Sequence, residues 1–195
     1  VQKSDEYFKQ ALNESDYLIP DGSGFVLASK CIQGKKLTKI SGYDLFSVTM
    51  QKLEKCHGKV FFLGSTEIVL EKIIKRAEFD YPNVKVETLS PPYKHEFDEN
   101  DLDLFASEIN EVKPDVVFVG LTAPKQEKLI LSLKGKCQPK FFSGIGAVFD
   151  FYAGTVKRPN QIWLDFHLEW FFRFLGEPKR LWKRNFVSTP IFLKD

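Results

Sequence analysis

The residues best placed to do chemistry stand just after the chain's short apolar runs. They are Asp21-Gly22 after Tyr17-Leu18-Ile19-Pro20, Gly64-Ser65 after residues 59–63, Gly120 to Glu127 after residues 115–119, and Gly144-Ile145-Gly146 after residues 140–142. Glycine lets backbone N–H groups approach a phosphate closely, and a helix start behind it offers the positive end of its dipole. One such turn is ordinary strand-to-helix geometry; four at one edge point to a nucleotide or a sugar nucleotide, with Gly22, Gly64, Gly120 and Gly146 lining it. Gln126 carries an amide that can donate to a sugar or phosphate. Glu127 would repel a diphosphate and suits a sugar hydroxyl or the orientation of a neighbour. Asp150 is either a donor contact or an inward structural acceptor near Gly146. Asp21 is either a general base or the N-cap of a helix starting near Gly22, and its position alone favours the cap.

Other chemistries lack their residues. The sequence holds no GxGxxG and no GxxxxGK[ST], the usual fingerprints of dinucleotide oxidoreductases and P-loop NTPases. Cys31, Cys56 and Cys137 are odd in number and far apart, which argues for a reducing compartment and against a disulfide framework or a zinc module; His57, His95 and His167 are equally scattered. Asp101-Leu102-Asp103 superficially resembles a metal-binding DxD. It falls in an acidic first helical turn with Asp98 and Glu99, where carboxylates favour the helix dipole, so no metal site is expected.

Positioning these residues falls to an α/β chain. Over 195 residues, 28 basic and 26 acidic side chains leave a net charge of +2, and 43% of residues are hydrophobic, ordinary for a soluble domain with a real core. No apolar stretch approaches the ~20 residues that span a bilayer. Apolar runs at 59–63, 84–89, 115–119 and 140–142 alternate with helical patterns at 66–79, 98–112 and 124–133, after helices at 4–15, 25–31 and 43–56. Continuous apolar strands with intervening helices predict a Rossmann-like parallel sheet with helices on both faces. In such sheets, ligands bind beyond the carboxyl ends of the strands, where the glycines fall.

Charge divides the chain at its end. Residues 157–195 carry 8 basic and 4 acidic side chains and all three tryptophans, whereas residues 1–156 carry 20 and 22. The expected organisation is a nucleotide-sugar-binding core at 1–158 and a basic, aromatic, helical appendage at 159–195. Leu164, Leu168, Phe171, Phe172 and Leu175 recur at helical spacing. After Gly176-Glu177-Pro178, the cations Arg180, Lys183 and Arg184 lie close to Leu181, Trp182 and Phe186, the combination of an interfacial helix. The positive charge is too modest, and too interrupted by proline, to predict nucleic-acid binding.

Several motifs carry a family resemblance. Pro124-Lys-Gln-Glu127, Gly146-Ala-Val-Phe-Asp150-Phe-Tyr-Ala-Gly154, Lys157-Arg-Pro159, and Leu168-Glu-Trp170 through Glu177-Pro-Lys-Arg180-Leu-Trp-Lys-Arg184 look like the WecG/TagA/CpsF glycosyltransferases. Asp21-Gly22 and Ser41-Gly-Tyr-Asp44 fit the earlier motifs, in order. Two departures stand out. The family usually opens with a further strand, helix and strand ending in a Thr/Asn-containing active-site loop; Val1 falls just after it, so the chain reads as lacking the N-terminal part. Lys157-Arg158-Pro159 also stands where Arg-Ala-Pro is usual.

The resemblance implies an inverting, metal-independent transferase without a cofactor. It would move N-acetylmannosamine or its uronic acid from UDP to a polyprenyl-diphosphate-linked N-acetylglucosamine, feeding teichoic acid, common antigen or capsule synthesis. It implies Asp21 as the catalytic base and Arg173, Arg180 and Arg184 as diphosphate ligands. It also implies self-association and residence in the bacterial cytoplasm, peripheral on the inner membrane face, with the appendage on the membrane. The alternative is a non-catalytic nucleotide-sugar-binding or scaffold domain.

Overall fold

The computed structural model describes residues 5–21, 26, 29, 32, 34 and 37–156. The chain divides into two compact units, Val1–Ile19 with Ile40–Val156, and Pro20–Lys39 with Lys157–Asp195. The expected appendage therefore lies outside the described residues, as do Gly22, Arg173, Arg180 and Arg184. In the second unit, residues 26, 29 and 32 are helical and Asp21 is exposed.

The first unit is a parallel sheet between helices. Its elements are α1 (Glu6–Asn13), α2 (Gly42–Cys56), β1 (Lys59–Gly64), α3 (Glu67–Asp80), β2 (Lys85–Leu89), α4 (Glu99–Val112), β3 (Val116–Gly120), α5 (Lys125–Leu133), β4 (Phe141–Gly144) and α6 (Val148–Ala153). The strands lie in the order β2-β1-β3-β4, all parallel.

Alternation along the strands builds two cores, since successive side chains leave a strand on opposite faces. Val60, Phe62, Val116 and Phe118 face Phe46 and Met50 of α2, Ile73 of α3 and Phe149 and Tyr152 of α6. Phe61, Leu63, Val117 and Val119 face Phe105 and Ile109 of α4 and Leu129 and Leu133 of α5. Helix α1 joins that second face through α5: Tyr7 Oη lies 2.8 Å from Ser132 Oγ, and Lys128 pairs with Asp5 at 2.7 Å.

Local chemistry explains where elements start and stop. Ser41 opens α2 with a capping box, its hydroxyl accepting from Asp44 N while the Asp44 carboxylate accepts from Ser41 N. Asp98 and Asp101 open α4 in the same way. His57 ends α2, and Lys113 ends α4, in the left-handed conformation. At the amino edge, Asp115 is a clamp: its carboxylate accepts from Lys59 N at 2.8 Å and pairs with Lys140 Nζ at 2.7 Å, and its carbonyl accepts from Lys140 N at 2.8 Å.

Two expectations change. Tyr17-Leu18-Ile19, read as an apolar strand before Asp21, forms no strand, and Tyr17 is 89% exposed. A strand needs a neighbour to take its backbone hydrogen bonds, and none of the described residues pairs with this run. The segment from Gly146 to Gly154, read only as a motif, contains α6. That helix is short, and it survives by burying Val148, Phe149 and Tyr152 rather than by propensity.

The Lys140 ammonium, followed by the Lys59 N–H, holds the Asp115 carboxyl below its ordinary pKa. A depressed folded-state value contributes stability that is present above the unfolded value of about 3.9 and lost as pH falls through the folded one. Asp115→Asn should lower the melting temperature at neutral pH, and its difference from the parent should shrink below about pH 4, as read by circular dichroism melts across pH.

Candidate active site

The sheet's topology fixes one crevice. From β1 the chain moves one way to β2, then crosses back to β3 on the other side, so the connections diverge between the carboxyl ends of β1 and β3. Gly64 and Gly120 close those strands and pair in register. Gly64 has φ +134°, and a Cβ there would lie 2.6 Å from Gly120 O, so only glycine fits. The room beside Gly120 holds the Phe149 ring, 2.5 Å from where a Cβ would stand. That glycine thus serves packing beneath the crevice as well as its floor.

The β4 end adds a polar constellation. Gln126, in the first turn of α5, accepts a hydrogen bond at Oε1 from Gly146 N at 3.2 Å and donates from Nε2 to Glu127 Oε1 at 2.9 Å. Its side chain crosses so close to Gly144 that a Cβ there would meet Gln126 Cδ at 2.8 Å. The amide expected to reach for a ligand thus bridges two turns of the edge. Glu127 Oε2 is buried with no hydrogen-bond partner. Its other oxygen, Oε1, takes the Gln126 amide. Asp150 sits within α6, where Thr155 Oγ1 donates to its carboxylate at 3.3 Å and Thr155 N to its carbonyl at 3.0 Å. Those bonds tie Asp150 into the helix end.

Gly64, Gly120, Gln126, Glu127 and Gly146 are therefore gathered along one edge of the first unit, with Asp150 about a helical turn beyond Gly146. Asp21 belongs to the second unit.

The Asp101-Leu102-Asp103 triplet is used up in structural contacts. Asp101 is 8% exposed, accepts from Asp98 N in the capping box and takes the Lys94 ammonium at 2.8 and 2.9 Å, while Asp103 pairs with Lys136 at 2.7 Å. The two carboxylates are drawn to different lysines. Among the described residues no group of three His, Cys, Asp or Glu converges as a metal site would require. Cys56 and Cys137 are free thiols, and burial pushes the Cys137 thiol up to about 11, leaving it protonated and inert.

One feature of the edge escaped the sequence pattern. The loop between β2 and α4, Ser90 to Asp98, is bound to both strands' turns. Ser90 Oγ donates to Ser65 O at 2.9 Å after β1, and Lys125 Nζ donates to Lys94 O after β3 while lying 4.0 Å from the centre of the Phe97 ring. Lysine and aromatic side chains in a polar loop carry no periodicity, and Pro91-Pro92 was the sole sequence mark of a rigid path there.

Comparison with known proteins places this geometry in context. Residues 1–195 match the Glycosyl transferase WecG/TagA/CpsF family. The chain is 34% identical over 186 residues to an N-acetylglucosaminyldiphosphoundecaprenol N-acetyl-beta-D-mannosaminyltransferase of Bacillus spizizenii, covering 95% of this chain and 70% of that one. It is 32% identical over 188 residues to the protein of the same name from Bacillus subtilis, covering 96% and 70%, and 30% identical over 186 residues to one from Staphylococcus aureus, covering 95% and 70%.

The two aspartates of the triplet should separate on mutation. Asp101→Ala removes the carboxylate that accepts from Asp98 N in the capping box and leaves Lys94 with Asp98 alone, and should cost about 1–2 kcal/mol in denaturant unfolding. Asp103→Ala, at an exposed pair, should cost under about 1 kcal/mol.

Proposed function

The chain belongs to the WecG/TagA/CpsF family of glycosyltransferases, and from that membership we propose that it transfers an N-acetylmannosamine-type sugar from UDP to a polyprenyl-diphosphate-linked N-acetylglucosamine. The observation that carries the reading is the glycine pair at the crevice between β1 and β3, in a chain that aligns with mannosaminyltransferases over 95% of its length. The product feeds a cell-surface polymer such as teichoic acid or capsule.

The reaction is an in-line displacement. The acceptor hydroxyl oxygen attacks the anomeric carbon, its proton passes to the Asp21 carboxylate, and the bond to the UDP oxygen breaks, with inversion. An α-linked donor then gives the β linkage that the relatives' names specify. Backbone N–H groups at the glycine edge and the start of α5 receive the diphosphate, with Gln126 holding the Gly146 turn in place. Arg173, Arg180 and Arg184 neutralise the leaving diphosphate, since a guanidinium grips two phosphate oxygens at once. Gly22 supplies a further N–H.

The acceptor's lipid sets the location. No helix among the described residues is long and apolar enough to cross a membrane. Residues 159–195 hold the protein to the inner face of the cytoplasmic membrane through their cations and aromatic rings, and copies associate with one another. No metal is required, because arginines and N–H donors carry the diphosphate charge.

Asp21→Asn should keep UDP affinity and lower turnover by about 10²–10⁴-fold, measured as UDP release with a short-chain lipid-diphosphate acceptor. Parent turnover should persist in EDTA. Unchanged turnover in Asp21→Asn would return Asp21 to the role of a helix cap, and UDP binding without any transfer would favour the scaffold reading.

A further inference from the structure

We propose that Arg76 is a positioning residue for the transfer reaction: it latches the carboxyl end of α6, where the chain leaves the first unit, and so sets the course of the segment that carries Arg173, Arg180 and Arg184 to the leaving diphosphate. The inference rests on the transferase reading above and on the part given there to those arginines.

Helix α6 runs from the glycine edge to the end of the first unit. Gly146, whose N–H Gln126 holds, stands two residues before its start. Val156, three residues after its end, is the last residue of that unit. Six residues make about 9 Å of helix, too little to be stable alone, so its direction is set by what it touches. The Phe149 ring beneath Gly120 and the Tyr152 ring, 4.7 Å from that of Phe46, set its buried face. The carboxyl end falls to Arg76.

Arg76, on α3, grips Tyr152 twice. Its Nη1 donates to the Tyr152 carbonyl at 2.9 Å, and the guanidinium carbon lies 4.7 Å from the centre of the Tyr152 ring. Its Nε donates to Asp80 Oδ2 at 3.1 Å, one turn further along α3, which fixes the plane of the guanidinium. One planar group thus ties both backbone and side chain of α6 to a helix of 14 residues.

The bonding continues past the helix. Gly154 turns the chain at φ +70°, and its N–H donates to the Phe151 carbonyl at 3.2 Å. The Asp150 carbonyl accepts from Thr155 N at 3.0 Å, Thr155 Oγ1 at 3.1 Å and Val156 N at 3.3 Å. Yet Gly154, Thr155 and Val156 are all exposed. Ordering exposed backbone costs conformational entropy that no burial offsets here. Order kept without burial serves the chain that follows, and that chain begins at Lys157.

The test measures turnover of the full chain as UDP release with a short-chain lipid-diphosphate acceptor. Arg76→Met should lower kcat roughly 10- to 100-fold, the scale of a small misplacement of catalytic groups, with the donor KM little changed. Arg76→Lys, which keeps a cation able to reach the carbonyl, should recover most of the loss. Thr155→Val, at an exposed position, should cost several-fold in kcat with the melting temperature unchanged. In a background with Arg173, Arg180 and Arg184 all changed to Ala, neither Arg76→Met nor Thr155→Val should lower the residual turnover further, since both act through those arginines. An ordinary helix cap would instead lower the melting temperature and cost the same factor in both backgrounds, and that result overturns the proposal while leaving the transferase reading intact. Full turnover in both Arg76→Met and Thr155→Val overturns it as well. If Arg76→Met does not fold, Thr155→Val in the two backgrounds decides alone. Full turnover in the triple arginine variant removes those arginines from the reaction and the proposal with them, and a parent chain that transfers no sugar overturns the transferase reading too.

Discussion

Everything at the carboxyl edge depends on how closely β1 and β3 approach at their last residues. Parallel strands lie about 4.8 Å apart, and side chains on the last pair would normally fill the gap above them. Here Gly64 meets Gly120 with no room for a methyl group, and the backbone of Gly64 takes a conformation closed to other residues. The floor of the crevice is therefore bare backbone. The Phe149 ring beneath Gly120 keeps that floor from sagging into the core.

The sheet and its helices were legible because the pattern is strong. Residues 60–63 and 116–119 are continuous apolar runs of strand length, and each is buried on both faces as such a run must be. Helix α4 announced its start through Asp98 and Asp101, and the capping box stands there. The failures were equally physical. Tyr17-Leu18-Ile19 has strand composition without a strand partner, and composition cannot supply the partner. Helix α6 has six residues, too few for periodicity to register, and is held by Phe149 and Tyr152 against two strands and α2.

At the site, residue types were easier to read than their work. Gln126 stood out as a donor beside a glycine, and the structure spends its carbonyl on Gly146 N and its amide on Glu127. Asp101, read as a carboxylate of an acidic first helical turn, is buried as the third residue of the capping box of α4 and salt-bridged to Lys94. Local bonding decides such contacts, since a polar side chain with little water around it takes the nearest partner. Lys125 lies inside a motif read from the sequence, yet its partners, Lys94 O and Phe97, are about thirty residues away, beyond the reach of any spacing rule.

The Asp115 clamp has a mechanical consequence. At the amino edge one side chain joins three strands, binding Lys59 at the start of β1 and Lys140 just before β4 from its place at the head of β3. Among the described residues, the carboxyl edge has backbone ladders and the Ser90 to Asp98 loop but no such charged rivet. The sheet is a fan pinned at its handle. Thermal opening is cheapest where fewest bonds must break together, so the strands spread first at the rim and stay aligned at the pin. Breathing is thereby confined to the end where a ligand must enter and leave, and the register of the whole sheet survives each excursion.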